Sequence, residues 1–492
     1  MYLLLNFWML LHGLFEKYLP ALLKLATLLL SLSIHQFTCA QLNIPNSPEL
    51  KRLSNAIQIE TVSSHDTTVF KPGTFKRFID FLQESYPLVN KHLELTIINN
   101  YSILYCWKGK DQSALPGMFL SHYDVVPVES CSYNKWGEPP FSGHIDEQYV
   151  WGRGSIDNKF QLMALMETIE NLLSENYIPL QTIYFAFGHD EEIGGTEGAA
   201  KVAKYFQLNN MLFEFIIDEG GAIVHNMFPG IKRDIAFIAT GEKGDLNVEL
   251  SVQEKGGHSS VPQRENAIDI LANAISKIKK KPIPARLQHP TDKTLDSIAP
   301  YLDGKTKFAI RNKWLFKKRI LKSLSENYAT NAIIRTVITP TIIQSGIKEN
   351  ALPTLATANL NIRILQGNNI EYVLKYLQNT IKDTRVFIRM KNPAYNPSPI
   401  SPAEGKPWNA LYKTIQSYYP GIIVAPMVSP ATTDSRHYAS LCKNIFRFTP
   451  FSITAENKEC VHGINEKIEI SEYLQAISFY TSLIKNIDRR EN

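Results

Sequence analysis

The amino-acid sequence predicts an α/β protein with a mostly parallel central sheet, into which a smaller ferredoxin-like α+β module is inserted. Strand-like and helix-like segments alternate from residue 47 onward, which is typical of a sheet covered by helices. After residue 240 the order becomes β-α-β-β-α-β, the order of a ferredoxin-like module. With 492 residues the chain also exceeds the roughly 250–300 residues at which single cores stop growing. We therefore expect at least two domains.

The main domain is predicted in two parts, residues 41–239 and 397–492, with the inserted module at 240–396. In the first part, apolar periodicity predicts the helices 48–57, 75–84, 158–174 and 199–205 and the strands 93–98, 103–108, 117–121, 182–187 and 213–217. In the module it predicts strands at 240–252, 333–338, 356–364 and 385–390 and helices at 266–279 and 370–381. A helix at 408–418, a strand near 422 and a helix at 472–484 complete the main domain. Prolines 393, 397, 399 and 402 mark the return to it.

The composition is that of an ordinary globular protein and does not favour nucleic-acid binding. The formal net charge is only +5, and no basic stripe with interleaved aromatic residues occurs. The short basic runs at 279–281 and 317–319 are interpreted as solvated helix ends.

Residues 1–40 resemble a signal peptide or an N-terminal membrane anchor. The segment 1–38 is mostly apolar, with Lys17 and Lys24 as its basic residues besides histidine, and a small-residue site ends at Ala40. Cleavage there would give a secreted or periplasmic protein, and an uncleaved segment would leave a membrane anchor; a buried core helix is the alternative. Export would permit disulfides among Cys106, Cys131, Cys442 and Cys460, whose pairing stays open.

Potential metal ligands follow four strand-like runs of the main domain. They are His122, Asp157, the adjacent pair Glu191 and Glu192, and Asp218. Each has an ordinary interpretation, such as a core histidine, a helix N-cap or a solvated acidic turn. Ligands nevertheless sit beyond the carboxyl ends of parallel strands, so four such runs predict one shared site. Imidazole and carboxylate ligands suit zinc or a similar divalent ion.

The motifs resemble those of the zinc-dependent aminoacylase, carboxypeptidase and dipeptidase superfamily. They occur in the family's order, at 121–127 (SHYDVVP), 152–159 (GRGSIDNK), 189–195 (HDEEIGG), 256–262 (GGHSSVP) and 460–466 (CVHGINE). The run 432–438 (TTDSRHY) and the extended region 285–330 resemble the carboxypeptidase S-like branch. That branch includes vacuolar and Gly-X carboxypeptidases and secreted hydrolases/synthases of N-fatty-acyl amino acids.

The resemblance implies two zinc ions, although other divalent ions are possible. It assigns His122, Asp157 and Asp218 to one ion and Asp157, Glu192 and His462 to the other, with a cis peptide between Asp157 and Asn158. The two ions would supply hydroxide by lowering the pKa of bound water towards ~7.

The resemblance also implies the roles of residues beside the metals. Glu191 would act as general base, and Asp124 would orient His122. A free base has no use in a purely structural metal site, so Glu191 argues against the alternative of a non-catalytic metal-binding scaffold.

The expected reaction is hydrolysis of an amide bond next to an amino acid with a free carboxylate, in a peptide or an N-acyl amino acid. A dipeptidase or another N-deacylase is the alternative within enzymes. Candidates for the substrate are His258, for the oxyanion, and Asn331, Arg363 and Arg436, for the carbonyl and the carboxylate; Asn331 and Arg363 are expected at or in module strands. The two arginines are not ranked, and His258 could be a plain turn histidine.

The resemblance names the module a lid, and a possible homodimer contact. Residues 283–330, with Trp314, Leu315 and Phe316 beside basic residues, are expected to form an amphipathic helix. It could cover an acyl-chain pocket, touch a membrane surface, or simply pack on the lid, which is the interpretation we favour.

Overall fold

The computed structural model describes residues 47–66, 68–225 and 230–489. The predicted export segment therefore lies outside the described residues. None of the helices in the described part of the chain is both long and apolar enough to span a membrane. The cysteines at 106, 131, 442 and 460 are all free thiols.

Eighteen strands are described, and they divide among four sheets. In chain order they are β1 (Glu94–Ile98), β2 (Ser102–Trp107), β3 (Gly117–His122), β4 (Tyr149–Trp151), β5 (Ile183–Gly188), β6 (Phe215–Asp218), β7 (Ile223–Val224), β8 (Ile235–Glu242), β9 (Gly244–Gln253), β10 (Gly257–His258), β11 (Val337–Ser345), β12 (Ala351–Leu352), β13 (Leu355–Ile364), β14 (Val386–Tyr395), β15 (Ile423–Ser429), β16 (Ile445–Arg447), β17 (Ser452–Ile453) and β18 (Lys467–Glu469).

Thirteen α-helices are described. They are α1 (Pro48–Ile57), α2 (Pro72–Ser85), α3 (Pro87–His92), α4 (Lys159–Ser174), α5 (Ala199–Leu208), α6 (Ala267–Lys280), α7 (Thr291–Ile298), α8 (Gly304–Arg311), α9 (Lys313–Glu326), α10 (Tyr328–Ile334), α11 (Ile370–Ile381), α12 (Lys406–Tyr418) and α13 (Ile470–Asp488).

The central sheet has ten strands in the order β1-β2-β5-β3-β6-β16-β8-β7-β17, with β15 paired to β8. Its middle strands β5, β3, β6 and β16 are parallel, whereas β1 and β2 add an antiparallel edge. Successive side chains of a strand point to opposite faces. Phe119 of β3 therefore packs with α4, α12 and α13, while its neighbours Met118 and Leu120 pack against α5 on the other face. The predicted α/β fold class is confirmed.

The inserted module is a four-stranded antiparallel sheet in the order β11-β13-β9-β14, covered by α6 and α11. Leu246, Val248, Leu250 and Val252 of β9 all point into its core, as their alternation predicts. The single strand expected over 240–252 is in fact two, because β8 pairs in the central sheet and β9 in the module. The chain crosses between the two sheets at Lys243. The alternation of apolar and polar residues along the sequence indicates an extended strand, but it does not indicate which sheet the strand joins.

Helices α7 to α10 form an insertion between α6 and β11, and they do not pack on the lid core as we favoured. Their buried Ile298, Ile310 and Ile320 contact Ile423 and Ala425 of β15 instead. The insertion therefore covers the β15 edge of the central sheet.

Candidate metal centre and active site

Three neighbouring strand ends bring functional residues to one edge of the central sheet. His122 ends β3 and lies opposite Gly188, the last residue of β5, while β6 pairs with β3 on its other side. The turn that follows β5 holds Glu191 and Glu192, and β6 ends at Asp218. Because these strands are parallel, their carboxyl ends meet at the same edge.

Asp157 reaches this edge by another route. The preceding strand β4 pairs with β18 in a separate two-stranded sheet, so Asp157 does not end a strand of the central sheet as predicted. It lies in the turn before α4, and its peptide bond to Asn158 is cis, as the resemblance implies.

The first cluster of candidate ligands is formed by His122, Asp157 and Glu219. The Nε2 atom of the buried His122 lies 3.0 Å from Asp157 Oδ1 and 3.1 Å from Glu219 Oε1. Burial, and next the Asp157 carboxylate, raise the pKa of Glu219 to about 8.

The second cluster is formed by Asp157, Glu192 and His462. His462 Nε2 lies 3.1 Å from Asp157 Oδ2 and 3.1 Å from Glu192 Oε2. Burial, and next Asp157, raise the pKa of Glu192 to about 7. Asp157 thus offers one carboxylate oxygen to each cluster.

The first cluster contains Glu219 where the sequence analysis predicted its neighbour Asp218. Asp218 Oδ2 accepts hydrogen bonds from the Thr433 hydroxyl at 2.8 Å and the Ser435 N–H at 2.9 Å. Its Oδ1 accepts the Glu219 N–H at 2.9 Å. The prediction that Asp218 is a ligand is corrected, because its carboxylate is occupied by these donors and Glu219 takes the position beside His122. The adjacent acids Asp218 and Glu219 repeat the arrangement of Glu191 and Glu192, which was the available signal.

Asp124 supports both His122 and the Glu191–Glu192 turn. His122 Nδ1 lies 3.0 Å from the Asp124 carbonyl oxygen and 3.3 Å from its Oδ1. The Asp124 carboxylate also accepts the backbone N–H groups of Glu191 and Glu192, each at 3.1 Å, and the Ser63 hydroxyl at 2.6 Å. The single buried carboxylate of Asp124 therefore fixes the position of His122 relative to the backbone of Glu191 and Glu192.

Glu466 is a positioning residue to which the sequence analysis gave no role. Its fully buried Oε1 accepts the backbone N–H groups of Gly154, Ile156 and Asp157 at 3.0, 2.8 and 3.1 Å. Its Oε2 pairs with the Arg153 guanidinium at 2.5 Å. This carboxylate fixes the turn that presents Asp157. The resembling motif at 460–466 contained Glu466, but only the tertiary contacts show what it does.

The donors fit divalent cations. An imidazole Nε2 carries at most one proton, yet His122 and His462 each face two carboxylate oxygens. In addition, Glu192 Oε1 is buried without a hydrogen-bond partner among the described residues. Ligands at 2.0–2.2 Å from a tetrahedral zinc ion lie about 3.3 Å apart, close to the separations of 3.0–3.1 Å here. One cation per cluster would satisfy all these oxygens.

Glu191 lies beside both clusters and belongs to neither of the ligand groups found in the described residues. It opens the short 3-10 turn Glu191–Ile193 after β5. Burial raises the pKa of its carboxyl well above the usual range.

The four predicted substrate-binding and oxyanion residues are placed very differently. Arg436 lies next to the Glu191–Glu192 turn, since its Nη2 donates to the Gly194 carbonyl at 2.6 Å and its guanidinium stacks 4.7 Å from the Tyr395 ring. Arg363 lies in lid strand β13, 3.7 Å from Asp245. Asn331 lies in helix α10 rather than at a strand, which corrects its expected position.

His258 ends the short lid strand β10 and is exposed. Its Nδ1 lies 2.7 Å from the Ser260 hydroxyl. Neither ligand group of the described residues includes it.

The carboxyl ends of the parallel strands and the paired clusters of imidazole and carboxylate form a candidate dinuclear metal centre in an α/β protein. The model of Peptidase family M20/M25/M40 matches residues 118–486, so the chain belongs to this family. The chain is 40% identical to probable carboxypeptidase S-like 2 of Dictyostelium discoideum, over 89% of this chain and 85% of that protein. It is 36% identical to the human N-fatty-acyl-amino acid synthase/hydrolase PM20D1, over 89% and 87%.

A solved structure shares the fold. It is the M20 family metallo-carboxypeptidase Sso-CP2 from Sulfolobus solfataricus, with a TM-score of 0.67 and 20% identity, covering 89% of this chain and 99% of that one. The predicted superfamily is confirmed, and with it a hydrolase that acts on amide bonds.

Proposed function

We propose that the protein is a two-zinc hydrolase that cleaves the amide bond next to an amino acid with a free carboxylate. The observation that carries this proposal is that two ligand clusters share Asp157 and leave Glu191 free beside them. The substrate would be a peptide, cut at its C-terminal residue, or an N-acyl amino acid. The names of the two relatives, a carboxypeptidase and an N-fatty-acyl-amino acid synthase/hydrolase, support both classes.

The proposed division of labour follows from the contacts. His122, Asp157 and Glu219 would hold one zinc ion, and Asp157, Glu192 and His462 the other. When bound, such ions lower the pKa of water towards ~7 and polarise a carbonyl group. Glu191 would take a proton from the attacking water and return it to the leaving amine nitrogen. Asp124 would keep His122 and Glu191 at a constant separation through its bonds to both.

Replacing Glu191 by Gln tests the assignment. We expect turnover to fall by a factor of about 10²–10⁴, the usual contribution of a general base, with zinc content and thermal unfolding unchanged. The matched control is Glu147→Gln, which alters an exposed glutamate in the same domain. Liberated amino acid is measured over a panel of N-acyl amino acids and dipeptides. Unchanged turnover in the Glu191 variant would refute its role.

Arg436 is the stronger of the two candidates for the substrate carboxylate, because it lies against the Glu191–Glu192 turn whereas Arg363 faces Asp245 in the lid. For Arg436→Lys we expect KM to rise at least tenfold for substrates with a free carboxylate. KM for the same substrates capped as amides should not change. The reason is that a planar guanidinium can donate two parallel hydrogen bonds to a carboxylate and an ammonium group cannot. Arg363→Lys is the matched control. Equal effects on capped and free substrates would assign Arg436 a structural role only.

The roles of His258 and Asn331 stay proposals. His258 would stabilise the oxyanion after lid closure or from a neighbouring subunit, and Asn331 would contact the substrate carbonyl.

We propose a homodimer through lid strand β11, an edge strand of its sheet that exposes Ile342 and Ile343. A monomeric mass in sedimentation equilibrium would exclude it. Export through residues 1–40 is likewise proposed, and N-terminal sequencing of the natural protein would show whether cleavage follows Ala40.

A further inference from the structure

The helical insertion α7 to α10 has an outer surface that its packing does not explain. Its inner side is accounted for, because Ile310 and Ile320 lie in a core shared with strand β15. In α9, Phe316 and Leu324 pack against the same core, and both stand four residues from Ile320 along the helix. The opposite side of α9 therefore faces away from the protein.

Positive charge is concentrated on this insertion. Residues 304–325 contain no acidic residue and eight basic ones: Lys305, Lys307, Arg311, Lys313, Lys317, Lys318, Arg319 and Lys322. The whole chain carries a formal charge of only +5, so the rest of it is net acidic. Of the eight, only Lys313 has a salt-bridge partner among the described residues, Asp296 at 2.6 Å. The other seven charges are thus not compensated by ion pairs within the described residues.

Large apolar side chains stand among these charges. Trp314 is 81% exposed, Leu315 60% and Phe308 59%. Trp314, Lys318 and Lys322 follow one another at intervals of four in α9, so they form one stripe with Leu315 at its side. Phe308 of the preceding helix α8 is exposed as well, and its ring lies 5.8 Å from that of Phe316 in α9. Exposing a tryptophan and a leucine together to water is unfavourable unless another apolar phase covers them.

We propose that this basic aromatic face, made of Phe308, Trp314 and Leu315 with Lys317, Lys318 and Lys322, docks on the surface of an anionic lipid bilayer. Trp, Phe and Leu enter the boundary between headgroups and acyl chains, while lysines remain at the anionic headgroups. The concentration of positive charge on α8 and α9 would orient the protein with this face towards the anionic lipid.

The composition of the face favours lipid over a protein partner. Protein interface cores are depleted in lysine, whereas here three exposed lysines accompany Trp314 and Leu315 on one helix. Charge complementarity therefore selects a surface of negative headgroups. The inference does not depend on the proposed hydrolase reaction.

Co-sedimentation of the full-length protein with vesicles tests the proposal. The vesicles are pure phosphatidylcholine, or phosphatidylcholine with 30% phosphatidylserine. We expect the triple variant Lys317→Gln, Lys318→Gln, Lys322→Gln to lose about 100-fold in partitioning to the anionic vesicles, since each basic residue near such a surface contributes about fivefold. Binding of the wild type should also weaken steeply as salt is raised from 0.05 to 0.5 M. Any contribution of residues 1–40 is common to all variants.

The matched control removes the same charge elsewhere. Lys279, Lys280 and Lys281 are exposed at the end of lid helix α6, and replacing all three by Gln should change partitioning less than about threefold. An equal loss in this control would show that net charge, and not the face on α9, governs binding. That result would overturn the proposal.

Tryptophan fluorescence reports on the face itself. With brominated lipid in the anionic vesicles, the wild type should be quenched more than Trp314→Phe, which keeps an apolar ring but removes the local emitter. Identical quenching of the two proteins would place Trp314 outside the bilayer and refute the docking geometry. Equal affinity of the wild type for a DNA duplex of the same charge would show that the face recognises polyanions rather than lipid. Unaltered circular dichroism of the variants excludes unfolding as the cause.

Discussion

Replacing each of the two adjacent acids Asp218 and Glu219 by its amide gives the sharpest test of the proposed metal centre. Glu219→Gln removes a charge that lies 3.1 Å from His122 Nε2, in the first ligand cluster. Losing a group that merely supports a ligand already costs 10–100-fold in metal affinity. Losing the ligand itself should cost at least 100-fold, or about 2.7 kcal/mol. Asp218→Asn, in contrast, disturbs three hydrogen bonds to Thr433, Ser435 and Glu219.

The two variants should therefore differ in kind. Because hydrogen bonds to a charged group contribute about 1.5–3 kcal/mol each, Asp218→Asn should lower the free energy of unfolding by about 2–3 kcal/mol while reducing zinc affinity less than tenfold. Glu219→Gln should bind one zinc ion instead of two at concentrations that saturate the wild type, with little loss of stability. Zinc content after equilibrium dialysis in zinc buffers, measured by mass spectrometry, and urea unfolding provide the two readouts. A loss of one ion in Asp218→Asn and none in Glu219→Gln would refute the assignment.

Three further predictions concern buried charges. Glu466→Gln leaves Arg153 buried without its counter-charge. We therefore expect the free energy of unfolding in urea to fall by about 3–5 kcal/mol and the affinity for zinc to fall 10–100-fold. If neither quantity changed, Glu466 would have no positioning role. Arg447→Met should cost a similar 3–5 kcal/mol by thermal and urea unfolding, because it leaves the buried Glu242, 2.9 Å away, without its counter-charge. Burial lowers the pKa of Lys243 from 10.5 to about 7, so the unfolded chain binds more protons between those values and stability rises with pH there. Lys243→Met should abolish this rise in the free energy of unfolding, which is about 1.4 kcal/mol per pH unit, when urea unfolding is compared between pH 7.5 and 9.5. The same pH dependence in the variant and the wild type would contradict a neutral Lys243 in the folded state.

Local sequence patterns predicted most elements because they depend on nearby residues. The spacing of apolar residues predicted α4, and the alternation in β9 predicted a buried strand face. The approach failed where long-range packing overrides local preference. The run 333–338 looked like a strand, yet its first two residues end helix α10, which begins with an Asn327 cap and buries Thr330 and Ile334.

The residue types at strand ends were enough to predict an acidic, histidine-containing centre, since a metal site needs particular chemical groups. The choice of Glu191 as the candidate base came from the family resemblance and stays a prediction. Which of two adjacent acids enters that centre is a different kind of question. Asp218 and Glu219 have similar chemistry, and the choice between them is made by Thr433 and Ser435, more than 200 residues further along the chain. Likewise, Glu466 supports Asp157 across 309 residues. The sequence by itself determined which groups were present, and the tertiary structure decided which of them meet in the candidate metal centre, because orientation is set by hydrogen-bond partners that only folding brings together.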